Sequence, residues 1–320
     1  MIAKGAVEIW HPFFWSMPCL WDYERKRYMN QKKFYPNYFT FPAIIVFAIF
    51  YCFPIIASFV MSFTNWNIKR ISSPKFTGLK NFSRLFSDDY FLLALKNTVL
   101  FAVVTTVGIV VLGLLLALLL NSALVKGKAF FRTTFYLPAV LSLIVVGIMF
   151  RAVYKLDGGI LNQILNMIGL SGLAHDWLGD GHTALWGIVF VQVWKWSGFA
   201  MAIYLAGLQA IPKDYYEAAE IDGATPLQQF KNITLPLLAP AFTVVITQNT
   251  IGGFKVFEQV YVMTNGGPGN ATQVLNTYIY KEFSKGTLGR SSAASLILFV
   301  VIAVIAVLLN RALTKREVEL

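Results

Sequence analysis

Six long apolar runs constrain this chain more than any other feature of its sequence. They lie at about residues 41–63, 98–120, 133–154, 183–208, 240–262 and 291–309. Each is long enough to cross a hydrocarbon core of about 30 Å as a helix. Because a bilayer supplies no water to hydrogen-bond irregular backbone, the sequence predicts an all-α membrane protein with six transmembrane helices.

The composition is that of a membrane protein and argues against nucleic-acid binding. Of the 320 residues, 57% are hydrophobic and 13% are charged, whereas about 25% are charged in a soluble domain. The net charge of +11 comes from basic residues beside the spans, where the cytoplasmic side and the lipid headgroups retain them. No soluble basic module is present to bind phosphates, so we expect membrane lipid and no nucleic acid as a partner.

Residues 1–40 form a basic and aromatic segment before the transmembrane domain, which we place at residues 41–315. A dense basic cluster at residues 25–33 directly precedes the first span, and the charges beside the first span usually set the orientation. We therefore predict that the N- and C-termini are cytoplasmic. The basic segment between spans one and two makes this charge bias a weak one.

Two shorter stretches alternate apolar and polar residues with helical spacing. Residues 80–96 show this pattern, and residues 161–169 show it more weakly. The pattern predicts amphipathic helices that lie along the membrane surface.

A charged stretch between spans four and five, residues 212–236, combines several helix signals; we call it the elbow. Pro212 suits a first helical turn, and Gly223 suits a helix stop because glycine adopts left-handed backbone cheaply. Thr225 and Gln228 have the spacing of a capping box that starts a second helix. Two short helices with a sharp bend are therefore predicted, and such a rigid knob suggests docking of a partner.

The elbow also carries a specific motif. Glu217-Ala218-Ala219, then Gly223, Ile233 and Leu235-Pro236 match the EAA motif in residue type and spacing. The chain thereby resembles the transmembrane permeases of binding-protein-dependent ABC importers. This resemblance implies the type I importer fold in a bacterial cytoplasmic membrane, and a coupling site that seats in a cytoplasmic ATPase. The residues of that site would be Glu217, Ala218, Ala219, Asp222, Gly223, Ile233, Leu235 and Pro236.

Further segments resemble the carbohydrate permeases of the maltose and glycerol-3-phosphate group. They are residues 62–67, 76–82, 206–212 and 264–272, and the last is typical of the maltose-type half of the permease pair. The resemblance implies import of a sugar, expected to be an oligosaccharide, by alternating access. It also implies a second homologous permease, two copies of an ATPase subunit and an extracytoplasmic sugar-binding protein as partners.

The sequence shows no catalytic or cofactor site of its own. It has no Gly-x-x-x-x-Gly-Lys phosphate-binding segment. We therefore expect ATP and Mg to bind the partner ATPase, and this chain to have no enzyme activity. His11, His175 and His182 are scattered and form no ligand pair at helical spacing, so we predict no metal site.

Polar and aromatic residues inside spans four and five are candidates for the substrate path. Polar groups within a membrane are costly and usually functional. Aromatic rings flanked by amides suit sugars, as pockets generally combine apolar walls with a few placed polar groups. The candidates are Trp194, Lys195, Trp196, Tyr204, Gln248, Asn249, Phe254 and Glu258.

The lysines in these spans leave alternatives open. Lys195, Lys255 and the basic segment between spans one and two suggest that the cargo is an acidic saccharide, such as a uronate oligomer. Lys255 and Glu258, three residues apart, could instead form an ion pair on one helical face. Lys195 could instead extend to the membrane interface.

Two other functions fit the sequence less well. Ion-coupled secondary transporters often show inverted repeats, which are not evident here, and that function leaves the elbow unexplained. A membrane scaffold or non-transporting receptor is the third alternative, and co-purification with an ATPase would argue against it.

Overall fold

A computed structural model describes residues 37–70, 72–122 and 125–315. Within these ranges the chain is helical, and the β pairing consists of one isolated antiparallel bridge between Thr64 and Phe76. The predicted all-α membrane fold is confirmed. Most of the predicted basic and aromatic N-terminal segment, residues 1–36, lies outside the described residues.

The chain divides into two compact units, Met1–Ala57 and Ser58–Leu320. In the described part of the first unit, a 3-10 turn at Asn37–Thr40 leads into α1, Phe41–Ser62, which continues into the second unit. A π-turn, Ala48–Cys52, lies just before Pro54 in α1. Because proline has no N–H to donate, it leaves one carbonyl of the preceding turn without its helical bond, and a wider turn at this point accommodates the loss.

The second unit contains the other helices. They are α2 Lys80–Phe86, α3 Asp89–Asn121, α4 Lys128–Val140, α5 Leu143–Val153, α6 Ile160–Met167, α7 Ala184–Ala210, α8 Asp214–Ile221, α9 Pro226–Leu237, α10 Ala239–Phe254, α11 Glu258–Met263, α12 Leu275–Ser284 and α13 Leu288–Thr314. Four helices, α1, α3, α7 and α13, are long and apolar enough to cross a membrane individually. Two bent helix pairs, α4 with α5 and α9 with α10, bring the number to six if each pair is counted as one span.

The single surface helix predicted at residues 80–96 is wrong. α2 ends at Phe86, and Asp88 caps a new helix by accepting a hydrogen bond from the Tyr90 N–H at 3.0 Å. An aspartate at this position satisfies one of the free N–H groups of a helix start. Residues 89–96 therefore lengthen the second span. At residues 161–169 the predicted helix is present as α6, Ile160–Met167, and its position along the membrane surface stays a prediction.

The third and fifth spans are broken, whereas the sequence predicted continuous helices. α4 and α5 meet at 98°, and α9 and α10 meet at 64°. α10 ends at Phe254, so the fifth span does not continue as one helix to residue 262. Pro138 in α4 and the Gly252-Gly253 pair at the end of α10 weaken the helical backbone near these ends.

Small residues let α3 and α7 pack closely. A Cβ added at Gly113 would lie 2.7 Å from the Cβ of Ala200, and one at Gly108 would lie 2.8 Å from Val193. Glycine at such contacts is common between membrane helices because it lets two backbones approach. The residue numbers increase together along the contact, so α3 and α7 run parallel.

α10 runs back along α3 in the opposite direction. A Cβ at Gly253 would lie 2.7 Å from the Cα of Ala102, and the hydroxyls of Thr250 and Thr106 are 3.4 Å apart. The elbow therefore lies at the same end of the helices as the C-terminus of α3. The turn after α11 lies at the opposite end.

Candidate coupling elbow and central cavity

The elbow consists of two helices joined by a tight glycine turn. α8 ends at Ile221, and Gly223 has a left-handed φ of 76°. The Gly223 N–H donates to Glu220 O at 3.0 Å, and the Ala224 N–H donates to Ala219 O at 2.9 Å. These two bonds are those of a Schellman cap. The predicted glycine stop is confirmed.

The second elbow helix begins with the predicted capping box. Thr225 Oγ1 accepts from the Gln228 N–H at 3.4 Å, and Gln228 Oε1 accepts from the Thr225 N–H at 2.7 Å. The first elbow helix differs in detail from the prediction. It begins at Asp214, because the Lys213 carbonyl accepts its first backbone bonds, and Pro212 lies before the helix.

Tyr216 joins the two elbow helices. Its Oη lies 2.9 Å from Oγ1 of Thr234, a residue with 6% exposure. Thr234 closes a π-turn, Phe230–Thr234, within α9. α9 continues to Leu237 and then bends into α10. The elbow is thus attached to the helix that crosses the membrane.

Most of the predicted coupling residues are accessible. Glu217, Ala218, Asp222, Gly223 and Leu235 are exposed, and Ala219, Ile233 and Pro236 are half-buried. The exposed residues occupy the bend and the face of α8 around Glu217. This arrangement leaves the motif free to contact another molecule.

Three large apolar side chains at the elbow are also exposed, and the sequence analysis did not single them out. Ile221 is 88% exposed, Leu227 is 75% exposed and Tyr215 is 49% exposed. Ile221 and Leu227 flank the glycine turn on either side. Exposed apolar side chains clustered within a polar rim mark protein interaction sites. In the sequence, the only sign that these apolar residues are exposed is that they lie in a charged stretch that contains a turn.

A cavity of about 290 Å³ lies among α5, α7, α10 and the start of α11. Its lining residues are Leu143, Gln192, Trp196, Gln248, Asn249, Gly252, Lys255, Val256, Glu258 and Gln259. Four of the predicted path residues, Trp196, Gln248, Asn249 and Glu258, therefore lie together. One aromatic ring and four carboxamides give this cavity the mixture of groups that suits a sugar.

Gln259 is a buried residue of the cavity lining whose amide group has no hydrogen-bond partner. It is 1% exposed, and neither its amide nitrogen nor its amide oxygen has a partner. A buried amide left unpaired costs about 1–3 kcal/mol. The side chain is therefore available to a polar ligand in the cavity. Gln259 is not among the residues predicted from the sequence, where its only signal is its position next to the predicted Glu258.

The alternative that Lys255 and Glu258 form an ion pair on one helical face is wrong. Lys255 is the C-cap of α10, and Glu258 begins α11, so the two residues do not share a helix. No salt bridge joins them within the described part of the chain. Both side chains are exposed and line the cavity.

Lys195 does not line the cavity and does not extend to an interface. It is 1% exposed, and its ammonium donates to the carbonyls of Pro138 at 2.9 Å, Ala139 at 3.1 Å and Leu141 at 2.5 Å. Pro138 and Ala139 lie in the last turn of α4 and Leu141 directly follows it, where a helix end leaves carbonyls without the donors of a following turn. The Pro138 carbonyl also accepts from the Leu141 N–H at 3.3 Å. The lysine occupies the break in the third span.

Of three other predicted path residues, Tyr204 and Phe254 are buried in the interior and Trp194 is half-buried against the core. Trp194 contacts Phe150 edge to face, with ring centroids 5.2 Å apart. Tyr204 is fully buried, with its ring centroid 4.9 Å from that of Phe242, and Phe254 is 3% exposed. None of the three borders the cavity.

The end opposite the elbow is built around the turn at residues 264–272. Asn97 Nδ2 donates to the carbonyls of Ala271 at 2.9 Å and Gln273 at 3.0 Å. Thr272 Oγ1 lies 2.7 Å from Thr264 Oγ1. These bonds attach the turn to the start of α3.

A polar cluster fixes the helices beside this turn. Tyr278 donates to Asp88 at 2.7 Å, and Arg290 forms ion pairs with Asp88 and Glu282. Burial, together with the hydrogen bond to Asp88, raises the pKa of Tyr278 well above its usual value. Tyr278 therefore remains a hydrogen-bond donor at neutral pH, and the surface at this end is held in one arrangement. Among the described residues, no group of three or more His, Cys, Asp or Glu is placed to hold a metal ion.

Residues 109–318 match the family described as binding-protein-dependent transport system inner membrane component. The match covers more than half of the chain and includes the elbow and the cavity. The chain belongs to this family. The resemblance to ABC importer permeases, inferred from the EAA motif, is confirmed, and the chain is a multi-pass membrane transport component.

Curated relatives extend this similarity over nearly the full length. The probable ABC transporter permease protein YurN of Bacillus subtilis (strain 168) is 41% identical over 276 residues, which are 85% of this chain and 94% of the relative. The arabinooligosaccharides transport system permease protein AraP of the same organism is 37% identical over 280 residues, which are 87% and 88% of the two chains. The expected relationship to carbohydrate permeases is confirmed.

A solved structure shares the fold. It is a bacterial ABC transporter involved in the import of the acidic polysaccharide alginate, with a TM-score of 0.75 and 27% sequence identity. The match covers 92% of this chain and 98% of that one. The broken third and fifth spans therefore belong to an importer permease fold.

Proposed function

We propose that this chain is the transmembrane subunit of an ATP-driven importer that moves an oligosaccharide across a bacterial cytoplasmic membrane by alternating access. One observation carries the proposal: the exposed elbow is attached through α9 to α10, and the far end of α10 lines the amide-rich cavity. A contact at the elbow is thereby linked mechanically to the residues that would hold the cargo.

The elbow is proposed as the coupling site for a cytoplasmic ATPase. Ile221 and Leu227 supply apolar contacts at the bend, and Glu217 supplies a carboxylate for a basic partner residue. The chain has no phosphate-binding segment of its own. ATP and Mg would bind the partner, and coupling requires that the partner present a different shape to the elbow in each state.

The complete importer would contain a second homologous permease, two ATPase subunits and an extracytoplasmic sugar-binding protein. Support for the last comes from a solved alginate ABC transporter in complex with an alginate pentasaccharide-bound periplasmic protein, to which this chain is 26% identical with a TM-score of 0.73. The hydrogen-bonded surface around residues 264–290 is the proposed side for that contact.

An oligosaccharide is the proposed cargo. Relatives include permeases for arabinooligosaccharides and lactose. The cavity lining contains one lysine, Lys255, and one glutamate, Glu258, which form no ion pair with each other. The formal charges of the lining therefore cancel, which favours a neutral sugar. Lys195 no longer supports the prediction of an acidic saccharide, because the Lys195 ammonium is bonded to backbone carbonyls. An acidic cargo would rest on Lys255.

The elbow end is proposed to face the cytoplasm, with both chain termini on that side. Cysteines introduced at Lys213→Cys and Ser284→Cys, on a background without Cys19 and Cys52, test this orientation. A membrane-impermeant thiol reagent added to intact cells should label the second variant only. Labelling of the first variant alone would reverse the orientation.

Transport in reconstituted vesicles tests the function. Uptake of labelled oligosaccharide should require the ATPase and the binding protein, should stop with vanadate and should persist with an uncoupler. Uptake that stops with the uncoupler but not with vanadate would instead support an ion-coupled transporter.

A further inference from the structure

The break in the third span exposes carbonyls that a continuous helix would have bonded. α4 ends at Val140, and α5 begins at Leu143 at 98° to it. A helix end carries a partial negative charge from its unbonded carbonyls. Within a membrane protein such groups must find donors inside the protein.

Lys195 supplies all of its donors to this break. An ammonium has three N–H groups, and the three recorded acceptors are the carbonyls of residues 138, 139 and 141. No carboxylate within the described ranges forms a salt bridge with Lys195. The charge of this buried lysine is therefore compensated by the end of α4 and not by an acidic residue.

The same lysine bonds two parts of the chain that continue into the lining of the cavity. Gln192 and Trp196, one turn before and one residue after it on α7, line the cavity, and so does Leu143 beyond the break. The ammonium is 5.2 Å from the centroid of the Trp196 ring. The hydrogen bonds of Lys195 thus connect the α7 wall with the start of α5.

α4 and α7 pack closely beside the hydrogen bonds of Lys195. A Cβ at Gly198 would lie 1.8 Å from the carbonyl oxygen of Phe135. Glycine is therefore required one turn after Lys195, where α4 crosses α7. The two helices touch at this point, and the lysine fixes the end of α4 next to it.

We propose that Lys195 is a positioning residue for transport: its ammonium holds the break between α4 and α5 and thereby places Leu143 opposite Gln192 and Trp196 in the cavity. This inference rests on the proposed function only in taking that cavity as the path of the sugar. The sugar does not touch Lys195.

The test measures the cavity wall without any sugar. The full chain, with Cys19→Ser, Cys52→Ser and Leu143→Cys, is studied in membrane vesicles, and the reaction rate of the introduced thiol with methyl methanethiosulfonate is followed. Lys195→Ala should change this rate by about fivefold or more, the effect of one or two kcal/mol on a local equilibrium. Excess n-propylammonium, which matches the atoms removed, should restore the original rate.

Two variants make the rescue specific. Lys195→Met fills the same space without an ammonium, so its altered rate should not respond to propylammonium. Lys255→Ala removes a lysine that lines the cavity and whose ammonium makes no hydrogen bond or ion pair among the described residues, so propylammonium should leave the rate of this variant unchanged. If Lys195→Ala does not accumulate, Lys195→Arg is compared with Lys195→Gln, and only the arginine variant should keep the native rate.

An unchanged rate in both Lys195→Ala and Lys195→Met would overturn the inference. So would an altered rate in Lys195→Ala that propylammonium does not restore. A failure of the proposed function would be seen in a separate experiment, in which substitutions of the cavity amides leave sugar uptake unchanged. The thiol measurement involves no sugar and no ATPase, so the two failures are distinguishable.

Discussion

Tyr216 Oη and Thr234 Oγ1 lie 2.9 Å apart and join the two helices of the elbow across 18 positions of sequence. Thr234 is 6% exposed and lies close to the bend into α10, whereas the exposed Ile221 and Leu227 flank the glycine turn. A force applied at the bend therefore reaches α10 through both helices together.

Removing this bond should reduce coupling. Tyr216→Phe or Thr234→Val should cost about 1 kcal/mol of elbow rigidity and lower the amount of sugar moved per ATP hydrolysed, measured in vesicles. The double variant should be no worse than either single one, because both changes break the same bond. Thr243→Val is the control, since the Thr243 hydroxyl bonds within its own helix to Ala239 O. Equal coupling in all variants would contradict this role.

Gly223→Pro should abolish uptake while the protein still reaches the membrane. Proline cannot adopt the φ of 76° at this position and lacks the N–H that bonds Glu220 O. A cost of about 3 kcal/mol would lower the population of the native bend about a hundredfold. Gly169→Pro is a matched control, because Gly169 also has a positive φ of 81° and also donates to a carbonyl three residues earlier, but it follows α6. Comparable loss in both variants would argue against a specific role for the elbow.

Ile221→Asp should prevent docking of the ATPase without destabilising the chain. Ile221 is 88% exposed, so the isolated subunit loses little packing. Burial of an isoleucine side chain against a partner contributes about 1.5–3 kcal/mol, and co-purification with the ATPase should fall about tenfold or more. Met167→Asp, at a residue with 82% exposure in α6, is the control. Normal co-purification of the Ile221 variant would remove this residue from the interface.

Gln259→Leu should change stability and transport in opposite directions. Replacing a buried, unpaired amide by an apolar side chain of similar size should stabilise the chain by about 1 kcal/mol, seen as a higher midpoint of thermal unfolding in detergent. Sugar uptake should fall about tenfold, because a hydroxyl of the sugar loses its partner. Thr247→Val is the control, because it removes a buried, unpaired hydroxyl of a residue that does not line the cavity. It should raise stability alone, and a similar loss of uptake there would contradict the assignment.

The sequence was sufficient to predict the elbow and the apolar, helical character of the membrane domain. Gly223, Thr225 and Gln228 act on backbone groups within a few residues, so their spacing alone predicts the turn. Apolar length similarly identifies each span without reference to the rest of the fold. These features are local, and the structure confirms them.

The breaks in the third and fifth spans could not be predicted in the same way. Averaged hydropathy treats two bent halves as one apolar run. The donor that stabilises the third-span break is Lys195, which lies 57 positions after its acceptor Pro138. The same difficulty applies to the aromatic residues, because only packing decides that Trp196 lines a cavity and Tyr204 does not.

The carbonyls at the end of α4 resemble the sites in which secondary transporters hold a dissociable Na⁺ at an interrupted helix. In this chain the cation is covalently attached, as the ammonium of Lys195. A tethered cation cannot be loaded on one side of the membrane and released on the other. This break therefore cannot draw energy from an ion gradient, and the work of moving cargo must enter the chain through another surface.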